Sequence, residues 1–396
     1  MSNGNDAALV FSDDGGPAAS PGTHVLIIGV GKYAFGVGPS ASPVGGDLRQ
    51  LSSPPVTARA IADWFVGSFT NSGKPLASVS LLISEQQDTP YTPSRPAGAP
   101  PVDVPPATLA NVKKAAAHWA DRLRSHQDNL AVFCFCGHGA SLGQQAALLL
   151  EDFGMPGVEF DAAIDVDILR GTMKNSPAVQ QVYLLDCCRT KADDLYRNEP
   201  SIGTRVVSIP GFQRGHAIPP QQFVLFPTID GEEAFGVKGE VSIFSRSIID
   251  ALTFAAADSS TGVWRTTTGS LLNAVDQLVR HRLPEQLTKR SKPNALDATS
   301  FDFNEIDAPT VTRSFVTISD LGLWGQVELE CVDPAGAVAP QRKHSRDSSS
   351  DTCCAFELPE GRWRFGGVLP QSPPTITNHE RTLRAPVAYV KLEVTP

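Results

Sequence analysis

The sequence predicts an α/β fold, with a mostly parallel sheet flanked by helices, followed by a small all-β module of sandwich type. Three observations predict it. Apolar, β-branched or aromatic runs bounded by turn signals recur at 24–33, 76–84, 130–136 and 181–187, and such runs read as buried strands. Segments with a helical period lie between them, and alternation of strand and helix implies parallel strands joined by crossovers. Beyond residue 307 the helical period disappears, and short alternating runs separated by turn residues take over.

Residues 1–22 are small, polar and rich in Gly and Pro, so this stretch is expected to be disordered. HVLIIGVGKY (24–33) is the first buried strand. The glycines after it fit neither a Walker-type nor a dinucleotide-type phosphate loop. A helix is expected over 55–69, with Val56, Ala60, Ile61, Trp64 and Phe65 on one face and proline in its first turn. LASVSLLIS gives the second strand, and the Pro-dense 88–106 segment a long surface loop of the kind that often borders a site. Thr108 opens a helix through Val112, Ala115, Ala116, Trp119 and Leu123. The strand at 130–136, the apolar run QAALLLEDF, a short helix at 166–174, the strand at 181–187 and the strand QQFVLFPTI follow. Helices at 242–254 and 270–282 close this part. The runs SFVTISDL, GQVELECV, CAFELPEGRWRF and APVAYVKLEV then suggest an antiparallel sandwich of roughly 85 residues, with LPEGRWRF as a hairpin. Three segments result: 1–22 disordered, 23–307 as the main domain, and 308–396 as an accessory β domain expected to leave 1–307 able to fold alone.

With 396 residues and 41% apolar content, the chain is long enough to bury a sizeable core. Net charge is −9; residues 308–396 carry nine Lys/Arg against ten Asp/Glu, which leaves −8 for residues 1–307. That acidic balance argues against nucleic acid as a partner. The local basic cluster Arg280, His281, Arg282, Lys289, Arg290 and Lys292 reads as a solvated helix end. Seven cysteines, several of them in strands and none at metal-type spacing, point to a reducing compartment. The N-terminus does not read as a secretory signal, and no apolar stretch approaches the ~18–20 residues that span a bilayer. A cytoplasmic location and no membrane partner are expected.

Two apolar runs break off at reactive residues: Cys136-Gly137-His138-Gly139 and Asp186-Cys187-Cys188-Arg189. In an open parallel sheet, chemistry sits at the carboxyl ends of the strands. Neighbouring strands ending in His and Cys would set a base beside a thiol, which is what a cysteine nucleophile requires. Adjacent side chains on a strand point to opposite faces, so only one of Cys187 and Cys188 can meet His138.

These motifs, their order and the separation 188 − 138 = 50 residues make the chain resemble the caspase/metacaspase superfamily of cysteine peptidases (peptidase clan CD), most closely its bacterial members, over about residues 23–305. The 24–33 strand, the LSSPPVTARAIADWF helix and the GEVSIFSRSIIDAL helix share in the likeness. The resemblance implies a caspase-like sheet, His138 as catalytic base and Cys188 as nucleophile. It further implies that the backbone N–H groups of Gly139 and Cys188 form an oxyanion hole. Cys187 is then left as a small buried hydrophobe.

The resemblance also bears on specificity. In metacaspases an Asp before the nucleophile helps line an acidic pocket for Arg or Lys; Asp186 occupies that place, Cys136 stands where the family has Ser, and Val56-Thr57 replace an Asn-Asp pair. Cleavage after Arg or Lys is therefore expected over cleavage after Asp. The family's processing linker corresponds to 189–215, where Lys191, Arg197, Arg205 and Arg214 are the candidate cut sites of a zymogen, for the enzyme itself or for an upstream peptidase. No cofactor is required on this reading. Asp193, Asp194 and Glu199 are the only carboxylates near the site for the Ca²⁺ that metacaspases use, and a polar loop more often leaves such groups solvated. The implied function is endopeptidase action on a protein substrate, under a regulatory partner or signal, in a bacterial antiviral or cell-death pathway. The alternative is a catalytically inactive caspase-like scaffold, against which the retained His138 and Cys188 argue.

Overall fold

The structure is a computed structural model that describes the chain apart from residues 1–5, 14–19, 46–47, 143–144, 188–189, 192–201, 210–219, 228–237, 261, 289–291, 349–350 and 372. In chain order, β1 (Leu9–Ser12), β2 (Thr23–Val30), α1 (Ser53–Ser68), β3 (Leu76–Ser84), α2 (Leu109–Leu123) and β4 (Leu130–Gly137) come first. Next are β5 (Gly139–Leu142), β6 (Gln145–Leu149), β7 (Ala163–Asp165), α3 (Val166–Met173), β8 (Gln180–Cys187), β9 (Thr190–Lys191) and β10 (Gln221–Phe226). Helix α4 (Ile243–Asp250) runs into a π-helical turn (Ala251–Ala255), followed by β11 (Ala257–Asp258), β12 (Arg265–Thr267), α5 (Thr268–Arg282), α6 (Glu285–Thr288), β13 (Asn294–Leu296) and β14 (Asp302–Glu305). The C-terminal strands are β15 (Thr312–Ile318), β16 (Glu328–Val332), β17 (Gln341–His344), β18 (Cys354–Leu358), β19 (Gly361–Val368), β20 (Thr375–Ile376), β21 (His379–Leu383), β22 (Val387–Leu392) and β23 (Val394–Thr395). Two compact units result: Met1–Arg246 with Arg290–Glu305, and Ser247–Lys289 with Ile306–Pro396.

The first unit is built on a seven-stranded sheet in the order β1-β3-β2-β4-β8-β10-β13. Its five inner strands are parallel, and the edge strands β1 and β13 run antiparallel to their neighbours. Every residue of β2 and β4 is buried, as expected of largely apolar strands covered on both faces. On one face Leu26, Ile28, Phe133, Phe135 and Leu185 pack with Trp119 of α2 and Leu169 of α3. The opposite face receives α1: a Cβ on Gly29 would lie 2.6 Å from the Cβ of Ala58, so this glycine sets how closely the helix approaches. Helix α2 starts as expected at Thr108, whose hydroxyl accepts from the Asn111 N–H at 3.4 Å.

Two expectations need correction in this unit, the disordered N-terminal segment and the inward face of α1. Part of the segment read as disordered is ordered: Leu9–Ser12 pairs with β3, Ala8 and Val10 are buried, and Asp6 bonds to Arg122 at 2.7 Å. Its composition concealed a short inward-outward alternation. The QAALLLEDF run supplies β6, which pairs with β5 and β7 in a small separate sheet. Helix α1 buries Thr57, Ala58, Ile61, Ala62, Trp64 and Phe65, and turns Val56 outward.

The second unit contains a three-stranded sheet β18-β15-β22 and a four-stranded sheet β17-β16-β19-β21, consistent with the sandwich-type expectation. Leu329, Trp363 and Phe365 of the latter share a core with Val316, Ile318 and Phe356 of the former. The pairing is not wholly antiparallel, because β15 and β22 run parallel. LPEGRWRF is not a hairpin: β18 and β19 belong to different sheets, so Pro359-Glu360 form a corner between layers. Open edges are closed by side chains. Lys343 Nζ donates to the Ala355 carbonyl at 2.5 Å, Gln341 Nε2 to that of Glu357 at 3.2 Å, and Arg381 to that of Tyr389. Lysine and arginine so placed block further strand addition.

The basic cluster at the end of α5 is not uniformly solvated. Arg282 is 1% exposed and is held by Asp250, Asp351 and Ser247 of the same unit. The compact units thus group 247–289 with the strands that follow residue 306, whereas the sequence placed the junction at 307. Among the described residues no helix is long and apolar enough to cross a membrane.

Candidate active site

The site lies at the carboxyl ends of β4 and β8, whose parallel ladder runs from Leu130↔Gln180 to Gly137↔Cys187. Beyond these strands the chain pairs again as β5 and β9, with Ala140 opposite Thr190 and Ser141 opposite Lys191. The offset is the same on both sides: 187 − 137 = 50 and 190 − 140 = 50. Cys188 and Arg189 lie outside the described residues, between these two sets of pairs.

His138 follows directly on β4 and is half-buried. Its Nε2 lies 2.9 Å from the carbonyl oxygen of Arg49. A carbonyl only accepts, so Nε2 carries the proton in the neutral ring and Nδ1 keeps its lone pair. The His138 N–H donates to the Tyr33 hydroxyl at 2.7 Å, and the two rings lie 4.9 Å apart at 46°. Gly137 makes room for this: a Cβ there would sit 3.0 Å from the Tyr33 oxygen and 3.0 Å from the Phe135 ring. Gly139 opens β5, opposite Leu148.

The two faces of β8 differ in kind. Tyr183, Leu185 and Cys187 belong to the core cluster shared with α2 and α3, and Cys187 is buried. Asp186 points the other way and is half-buried, with Ser245 donating to its Oδ2 at 2.6 Å and Ser242 donating to the same oxygen. The Ser242 hydroxyl also accepts the Ser245 N–H at 3.0 Å, the pattern of a helix N-cap, and the Ser242 N–H bonds Thr57 Oγ1 at 3.1 Å. Burial raises the Asp186 carboxyl above its ordinary range, against the pull of the two serine hydroxyls.

Cys136 is Asp186's partner in the ladder. Expected as a substrate-contacting residue, it is 1% exposed and so supports Asp186 from within the sheet. Burial pushes its thiol well above the usual range, and the neighbouring Asp186 adds to this, so it is not a nucleophile. Sequence reasoning missed Tyr33, the Arg49 carbonyl, Ser242 and Ser245. The last two lie in GEVSIFSRSIIDAL, where a Ser three residues before another Ser at a helix start was the available signal.

The remaining expected positions are scattered. Arg205 is exposed, within a segment anchored by buried Ile202, Val206 and Val207. Lys191 has only its backbone pairing described. Arg197, Arg214 and the carboxylates Asp193, Asp194 and Glu199 lie outside the described residues.

A sheet of this order with His and Cys motifs ending its two central strands belongs to a definable class. The family model of the caspase domain, Peptidase C14, matches residues 23–303, and the chain belongs to that family. An uncharacterized protein of Sinorhizobium fredii (strain NBRC 101917 / NGR234), y4kE, is 25% identical over 254 residues, 59% of this chain and 70% of that protein. Among solved structures, protein GSU0716 from Geobacter sulfurreducens matches at 14% identity and a TM-score of 0.41, over 70% of this chain and 93% of its own. Caspase-1 from Spodoptera frugiperda matches at 12% identity and a TM-score of 0.41, over 74% of this chain and 92% of its own.

Proposed function

We propose that this chain is a cysteine endopeptidase in which His138 and Cys188 form the catalytic dyad. The observation that carries it is that β4 and β8, the strands that lead into the two motifs, are paired neighbours up to Gly137↔Cys187, the residues that immediately precede His138 and Cys188 in sequence. Strand alternation supports Cys188 over Cys187, since Cys187 is spent in the core on the far face. The His138 tautomer also suits the chemistry. Nδ1 takes the proton of the Cys188 thiol as the thiolate attacks the scissile carbonyl, and returns it to the leaving amine. The N–H groups of Gly139 and Cys188 would then stabilise the tetrahedral oxyanion. The direct test is an alkylating peptide inhibitor followed by mass spectrometry. Label on Cys188, lost in His138→Ala, is the expected result; a chain that never labels there is a scaffold rather than an enzyme.

A carboxylate at the strand end favours a basic P1 residue. Asp186 Oδ2 is held by Ser242 and Ser245 at the start of α4, which fixes the carboxylate while the residue stays partly exposed. Cleavage after Arg or Lys should exceed cleavage after Asp in a fluorogenic library, and Asp186→Asn, which keeps the acceptor and drops the charge, should erode that preference. Because burial raises the Asp186 carboxyl, the preference should weaken as pH falls through a value above the ordinary 3.8. The sign for stability is opposite: the ionised form is the costly one, so Asp186→Asn should be at least as stable as the native chain at neutral pH. A profile dominated by P1 Asp would reject the assignment.

Activation by cleavage within 189–215 is the reading the family linker suggests. Arg205 is an unfavourable cut site because its segment is tied down by Gly203 N–H to the Phe160 carbonyl (3.0 Å) and Thr204 N–H to that of Ala163 (2.9 Å). Termini mapped in active protein should therefore fall after Lys191, Arg197 or Arg214 and be missing from Cys188→Ala if the cut is autocatalytic. Full activity in an uncut chain would end the idea. A cytoplasmic place in bacterial defence, under an upstream peptidase or other regulatory partner, is the role that the family resemblance favours.

A further inference from the structure

We infer that Gln50 is a positioning residue for His138, an inference that deepens the dyad assignment above and rests on it. Its exposed side chain grips the backbone of Tyr33 at two points: the Tyr33 N–H donates to Oε1 at 2.9 Å, and Nε2 donates to the Tyr33 carbonyl at 2.9 Å. The amide has one orientation only, since a backbone N–H donates and a carbonyl accepts. A side chain thus makes the two-point exchange that a neighbouring strand would make. The joined residues are the ones that hold His138. Tyr33 is buried, accepts the His138 N–H at 2.7 Å and lays its ring 4.9 Å from the imidazole. Arg49, the residue before Gln50, places its carbonyl 2.9 Å from His138 Nε2. Neither contact is made by the Arg49 side chain or by an element of regular structure, so the carbonyl's position depends on what ties 48–51 to the sheet. The Leu51 N–H to the Gly31 carbonyl (2.7 Å) is one tie; Gln50 is the one that reaches Tyr33, and Gln86 Nε2 braces its Oε1 at 3.0 Å.

The consequence is a division of labour. Tyr33 fixes where the His138 backbone lies, the Arg49 carbonyl fixes which ring nitrogen is protonated, and Gln50 keeps the two in register. When the clasp is lost, the carbonyl drifts, the imidazole shares its proton between Nε2 and Nδ1, and the fraction of ring with a lone pair on Nδ1 falls. Geometry lost by about 1 Å costs up to ~10²-fold in rate.

The test uses the full chain carrying Gln50→Leu, which keeps the size of the side chain and removes its amide. Gln50→Glu is the second variant, keeping an acceptor for the Tyr33 N–H while setting an oxygen against the Tyr33 carbonyl. Two readouts are taken: the ¹⁵N shifts of the His138 ring, which report the tautomer, and kcat and KM across pH with a fluorogenic peptide. The native chain should show the Nε2–H tautomer. The variants should lose that preference, with kcat down about tenfold or more, KM within about twofold, and the acidic limb displaced. Native tautomer and native kcat in a folded variant overturn the inference, as does a fall in thermal stability with no change in tautomer. If the native chain hydrolyses no peptide but the tautomer still moves with Gln50, the clasp stands and the dyad assignment falls.

Discussion

Cys188→Ala should abolish peptide hydrolysis, while Cys187→Ala should retain a substantial fraction of it. The contrast follows from strand geometry. Cys187 is buried in the core cluster with Tyr183 and Leu185, so its loss removes a small packing group at a distance from the chemistry. Cys188 is the next residue in sequence, and on the proposed assignment it is the nucleophile that His138 serves. A free thiol with a pKa of about 8.5 supplies only a few per cent of thiolate at neutral pH, so the rate depends on the imidazole beside it. Loss of either member should lower kcat on the order of 10⁴-fold or more, and the double variant should be little worse than the single ones, because nucleophile and base act as a unit. Kinetics on purified proteins of verified fold decide the matter. Equal loss in Cys187→Ala and Cys188→Ala would remove the assignment.

How much of this was legible in the sequence depends on the range of the interaction. The inner strands β2, β3, β4, β8 and β10 announce themselves, because strands buried on both faces are predominantly apolar and give near-continuous hydrophobic runs. The His138 and Cys188 motifs were visible for the same reason: a reactive residue and glycines interrupt an otherwise apolar run. The Arg49 carbonyl was not, since a main-chain oxygen has no signature in residue identity, and its role appears only when residues 49 and 138 are brought together. Tyr33 was read as the last residue of a strand, although it lies just past β2 and serves as a hydrogen-bond acceptor. Strand β1 was hidden because four residues are too few for alternation to stand out among Gly, Pro and Asp. The corner at Pro359-Glu360 has the turn chemistry of a hairpin, and only the sheet order shows that it links two layers. Arg282 misled for a similar reason: cations at a helix end are usually solvated, and what buries this one lies 69 residues further along.

That arginine leads to the second large effect, a loss of stability rather than of chemistry. Arg282 donates Nε to Asp351 Oδ1 and Nη2 to Oδ2, each at 3.1 Å, Nη1 to Ser247 Oγ at 2.9 Å, and Nη2 to Asp250. Its guanidinium also lies 5.5 Å from the Phe315 ring centroid. A fork with this many acceptors is specific to arginine. Arg282→Met removes the buried cation shared by Asp250 and Asp351 and leaves Asp250 only the more distant Arg313, at 3.7 Å; removing one side of a buried pair costs about 3–5 kcal/mol. Arg282→Lys should fall between, keeping the charge and losing the fork. The same network bears on the chain's division. A chain ending at 307 retains α5 but lacks Asp351, Phe315 and the strands that group with 247–289. In place of independent folding of 1–307, the expected result is a protein in which 247–289 is exposed to protease. Urea denaturation of the Arg282 variants and limited proteolysis of the truncated chain measure this. A midpoint for Arg282→Met equal to that of the native chain, or a truncated chain that resists protease through α5, would mean that the 308–396 strands are a separable accessory domain after all.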